Sequence, residues 1–86
     1  MRRKIAKRKR RYALRKGAEI LHEGWCKEPE RNEKYYEAYV KYCGWTIMSP
    51  GRDELEVYHG VLACFPGCEK EPFEGFRGPD EMVEVK

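Results

Sequence analysis

PERNEKYYEAYVKYCG, residues 29–44, is the stretch on which the fold turns, because it satisfies two sets of rules at once. As a helix it has Pro29 at the first position, Glu30 and Glu33 in the first turn, Lys41 in the last and Gly44 just beyond. That placement suits the helix dipole and the geometry of proline and glycine. Tyr36, Tyr39, Val40 and Cys43 then form an apolar line flanked by Tyr35 and Tyr42, and Glu37 and Lys41 stand four apart as an ion pair. As a strand the same run is rich in tyrosine, a β-favouring residue, and would make half of a long hairpin. The helical signals are more numerous, so a helix is expected here, with the long hairpin as its competitor.

On the N-terminal side, Leu14, Ala18, Leu21 and Trp25 recur at spacings of four, three and four with Ala13, Gly17 and Ile20 beside them, which predicts another helix stopped at Gly24. On the C-terminal side, WTIMS (45–49) and ELEVYHGVLACF (54–65) read as two strands joined by the turn residues PGRD (50–53). Leu55, Val57, His59, Val61, Ala63 and Phe65 alternate onto one strand face, and Met82–Lys86 is a candidate third strand. The expected fold class is therefore α+β: two N-terminal helices, the first with a projecting basic arm, packed on a small antiparallel sheet of two or three strands. Residues 1–12 are the arm, a helical extension, and 13–86 a single small domain.

With 86 residues and 41% hydrophobic content the chain supports one modest core. No stretch approaches the roughly 18 apolar residues of a membrane span, and the basic start is not followed by an apolar signal region. An intracellular protein, cytoplasmic or nuclear and without a membrane partner, is expected. In that reducing setting Cys26, Cys43, Cys64 and Cys68 are expected as free thiols or metal ligands rather than disulfides.

Charge is the strongest functional signal. Arg2, Arg3, Lys4, Lys7, Arg8, Lys9, Arg10, Arg11, Arg15 and Lys16 place ten cations and no carboxylate in the first 16 residues, whereas residues 17–86 hold 8 Lys/Arg against 15 Asp/Glu, a net of −7. A dense cationic run displaces the counterions condensed on a phosphate backbone and gains their entropy. Arg outnumbers Lys in the arm, and its planar fork suits phosphates and bases. The chain has one Asn, no Gln, one Ser and one Thr, so side chains that read base edges are nearly absent and backbone or shape recognition is expected. The competing structural reading folds the arm back onto the acidic body.

Other candidates are weaker. His22 and Cys26, four apart, with Cys64 and Cys68 bracketing a Phe-Pro-Gly turn, form a possible zinc set, against the alternative of buried free thiols. Tyr12, Phe73, Phe76 and Arg77 suit base stacking or a protein interface, although Phe between Pro and Gly also pins irregular chain to a core. No triad, phosphate loop or metalloprotease spacing occurs. The expectation is thus a non-enzymatic accessory protein, needing no cofactor, that binds nucleic acid or a nucleoprotein complex through its arm. The alternatives are an inhibitor or modulator, such as a virus-encoded one, docked on an acidic protein groove, and a zinc-stabilised adaptor.

Overall fold

The computed structural model describes residues 1–30 and 33–73. Five elements follow in the order α1 (Arg2–Arg15), β1 (Glu19–Glu28), β2 (Glu33–Tyr42), β3 (Trp45–Gly51) and α2 (Glu54–Lys70). The strands form an antiparallel meander, β1-β2-β3. The fold is α+β with a three-stranded sheet, but the expectation of two N-terminal helices is corrected: one helix precedes the sheet and the other follows it.

The first helix stops earlier than Gly24. Gly17 takes φ +102°, its N–H bonds Leu14 O at 3.0 Å, and the Ala18 N–H reaches back to Ala13 O at 3.1 Å. This paired closure is the Schellman stop, with Ala13 and Ala18 both buried beneath it. Gly24, at φ +156°, instead lies within β1, opposite Glu37. A bulge between Ile20 and His22 turns Leu21 outward. The chain around it then alternates in the two-residue period of a strand.

Residues 33–42 form a strand, so the helix expected over 29–44 is overturned in favour of its competitor. The reason lies at the end of the segment. Cys43 and Gly44 both have positive φ, 52° and 81°, and close a two-residue hairpin between Tyr42 and Trp45. Two consecutive left-handed residues match the twist of paired strands. Along β2, Tyr36, Ala38, Val40 and Tyr42 are buried while Glu37, Tyr39 and Lys41 face the other way.

WTIMS is a strand as expected, but residues 54–65 are helical, not a strand. Asp53 caps α2, accepting from Glu56 N at 3.0 Å, while the Glu56 carboxylate accepts from Arg52 N at 2.8 Å. This reciprocal arrangement is a helix start. Val57, Tyr58, Val61, Phe65 and Cys68 then make the buried stripe, and the alternation counted for a strand is incidental to it. Pro66 lies inside the helix, where it donates no backbone hydrogen bond. The candidate strand Met82–Lys86 lies outside the described residues.

The core sits between α2 and the inner face of β2 and β3. Tyr42 stacks on Phe65 at a centroid distance of 3.8 Å, and Ser49 Oγ donates to Val57 O at 2.8 Å where α2 crosses β3. Gly60 permits that crossing, since a Cβ there would lie 2.8 Å from Ser49 Oγ. α1 packs along α2. The outer face of the sheet is covered by neither helix. No helix among the described residues is long and apolar enough to cross a membrane.

Candidate nucleic-acid interface

α1 is built to be covered on one side by very small residues. Ala6 and Ala13, seven apart, are fully buried, and Lys9 and Arg10 beside them are half-buried. The arm therefore does not project as expected but lies on the body. At 3.6 residues per turn, Lys4, Arg8, Arg11 and Arg15 fall on the opposite side at spacings of four, three and four, with Lys7 adjacent. All five are exposed. The row runs about 16 Å along the helix at roughly 1.5 Å per residue. Ile5 and Tyr12 border it on one side and Leu14 on the other, each partly exposed.

Three of the ten cations meet carboxylates of the body. Arg2 donates to Asp53 at 2.7 and 3.2 Å, holding the cap of α2. Lys16 lies 3.8 Å from Glu69. Arg10 makes the strongest contact, a fork onto Glu23 with bonds of 3.0, 3.1 and 2.7 Å. Glu23 points inward from β1 and also accepts the hydroxyl of Tyr58, a fully buried residue of α2. One carboxylate thus joins α1, β1 and α2. The Arg10 bonds hold the Glu23 carboxyl below its ordinary range. Burial, and then the bond to Glu23, pushes the Tyr58 phenol above its usual range.

Among the described residues, Arg3, Lys4, Lys7, Arg8, Lys9, Arg11 and Arg15 have no carboxylate within ion-pair distance. Arg3/Lys7, Lys4/Arg8, Lys7/Arg11 and Arg11/Arg15 are like charges four apart, and each such pair opposes helix formation by about 0.2–0.5 kcal/mol. The first turn has no acidic residue and three cations, against the helix dipole. Electrostatic strain is therefore concentrated on the outward face. A line of phosphates would relieve it.

The remaining candidates are dispersed. Tyr12 stands beside the cationic row. Phe73 packs edge-on against Trp45 at 5.2 Å, and its N–H bonds Cys43 O at 3.4 Å, so it pins the chain after α2 to the β2–β3 turn. Phe76 and Arg77 lie outside the described residues. The zinc set suggested by spacing is not brought together: His22 and Cys26 are on the outer face of β1, whereas Cys64 and the buried Cys68 are on α2. His22 and Cys26 instead meet Glu37 of β2. Sequence reasoning missed Glu37, since it was assigned to a helix. It also missed Glu23 and Asp53, whose pairing with arginines 13 and 51 positions away leaves no local signal.

In comparisons with known proteins, no family model, no curated protein and no solved structure matches the chain significantly. The functional reading rests on the residues themselves.

Proposed function

We propose that the protein is a non-enzymatic accessory factor that binds the phosphate backbone of a nucleic acid, or of a nucleoprotein complex, through the outward face of α1. Lys4, Lys7, Arg8, Arg11 and Arg15 contact phosphate, Arg3 flanks them, and Tyr12 stacks on a base or sugar at the border. Arg2, Arg10 and Lys16 serve another purpose, fixing the helix to the body. The single observation that carries this reading is the row of exposed cations without carboxylate partners among the described residues, on a helix whose other side is packed.

Backbone contact of this kind is strongly salt-dependent. Five phosphate contacts give a log–log slope of about −4.5 on duplex DNA, at roughly 0.9 per contact. Fluorescence anisotropy of labelled duplex DNA, structured RNA and single strands across a salt series measures it. A slope near that value, with little change between sequences of the same shape, is expected. Absence of salt-sensitive binding to every one of these probes removes the proposal.

A second reading is supported by Ile5, Tyr12 and Leu14, which expose apolar surface beside the cations. An acidic groove of a protein target would accept both. A partner that remains bound after nuclease treatment favours this reading over the first.

A further inference from the structure

The outer face of the sheet carries a second cluster, unconnected with α1. His22 and Cys26 share that face of β1 with Gly24 between them, and Glu37 of β2 stands opposite Gly24 in register. Gly24 has no side chain, so the space above it is open, and the two β1 side chains lean across it toward the Glu37 carboxylate. His22 Nε2 lies 3.3 Å from Glu37 Oε2, and one donor atom from each of the three residues falls within 4.8 Å of the others. The Tyr39 ring meets the imidazole edge-on at 5.8 Å.

We propose that His22, Cys26 and Glu37 form a binding site for one borderline-soft divalent cation of the zinc type, held by imidazole Nε2, thiolate Sγ and a carboxylate oxygen. Nitrogen, sulfur and oxygen donors in one cluster match the preferences of zinc and cobalt rather than those of magnesium or calcium, which take oxygen. The spacing agrees as well. Tetrahedral zinc with bonds of about 2.0–2.1 Å to nitrogen and oxygen separates those two donors by about 3.3 Å, the distance found between His22 and Glu37. The Cys26 sulfur, within 4.8 Å of the other two donors, has to close to about 3.5 Å from them for bonds of about 2.3 Å to sulfur. On binding, the Cys26 thiol releases its proton to solvent and neutral His22 gives its lone pair. Three protein ligands leave the fourth position open to water or to a donor from a partner.

The site is tested on the full chain under reducing conditions by titration with cobalt(II). Binding of one cobalt per chain is expected, with a thiolate-to-cobalt charge-transfer band and the intense visible absorption of tetrahedral coordination. Cys26→Ser should abolish the charge-transfer band. His22→Ala and Glu37→Gln should each weaken binding at least about tenfold, no less than the loss of an outer-shell partner produces. A Cys64→Ser/Cys68→Ser double variant should keep the band unchanged. The proposal is overturned if no cobalt binds, if the band survives Cys26→Ser, or if it disappears with Cys64 and Cys68. Alkylation of the unaltered protein gives a readout independent of folding in the variants: zinc should protect Cys26 from iodoacetamide and leave exposed Cys64 reactive. Equal labelling of Cys26 with and without zinc overturns the site.

Discussion

Arg10 and Arg8 are two residues apart in one cationic run, yet they do opposite things. Arg10 is half-buried and forked onto Glu23, whereas Arg8 points to solvent. Arg10→Ala strips a charged partner from a carboxylate that also holds Tyr58, and is expected to destabilise the fold by about 1.5–3 kcal/mol in chemical denaturation. Arg8→Ala should change stability by less than about 0.5 kcal/mol while weakening polyanion binding. The Glu23 pairing also sets an acid response. Because its folded-state pKa is lowered, its contribution is present above the ordinary carboxylate range and is lost as pH falls through the depressed value. Denaturation midpoints measured from neutral pH downward should therefore drop below the ordinary glutamate range, and Glu23→Gln should flatten that part of the curve. The buried phenol works the other way. Tyr58 keeps its proton more firmly when folded, so stability is full below the ordinary tyrosine range and declines as pH rises beyond it.

Among the elements, the fold class and β3 were readable from local pattern, while the identities of the segments on either side were not. Residues 33–42 satisfy helix capping and dipole rules as well as strand alternation, and the two residues that decide between them, Cys43 and Gly44, look the same as a helix stop until both are known to have positive φ. Residues 54–65 have apolar side chains at both two-residue and helical spacings. The decisive signal is Asp53 with Glu56 three residues on, a capping pair readable from sequence although Asp53 beside Pro50 and Gly51 suits a turn equally well. The N-terminal cations were visible at once, since charge density needs no structure. Which of them turn inward depends on Glu23 and Asp53, distant in the chain. The α2–β3 crossing gives a prediction with a change of sign. Gly60→Ala alone drives a methyl group to 2.8 Å from Ser49 Oγ, and is expected to cost about 1–3 kcal/mol by overpacking. In a Ser49→Ala background the obstructing oxygen is gone, and the same Gly60→Ala change should stabilise by about 0.5–1 kcal/mol through helix propensity. A double-mutant cycle by urea denaturation measures the reversal, and equal effects in both backgrounds would show that the contact does not limit the crossing.

Taken whole, the molecule separates its surfaces. One side presents the outward row of α1, the inner layer holds the core, and the sheet face that neither helix covers bears His22, Cys26 and Glu37. The ten N-terminal cations lie on a chain whose remainder carries −7, so internal neutralisation is available in principle. Only Arg2, Arg10 and Lys16 use it among the described residues. This division determines how the interface must be probed. Deleting residues 1–11 removes Ala6 and Arg10 together with the outward cations, so loss of binding after truncation would confuse interface with stability. Reversing Arg8, Arg11 and Arg15 to Glu leaves Ala6, Ala13 and the Arg10–Glu23 fork in place, and it turns Lys4/Arg8 and Lys7/Arg11 into opposite charges four apart while positions 11 and 15 stay a like-charge pair, each pair being worth a few tenths of a kcal/mol. The triple variant is therefore expected to unfold close to the temperature of the unaltered chain, the two new opposite pairs offsetting the remaining like pair and the loss of the cation in the last turn. Its salt slope on duplex DNA should shrink by about 2.7, at roughly 0.9 for each lost phosphate contact. Retained stability with a diminished slope assigns the binding to the outward row. An unchanged slope would place any nucleic-acid contact elsewhere on the molecule and leave the strain on α1 without a purpose.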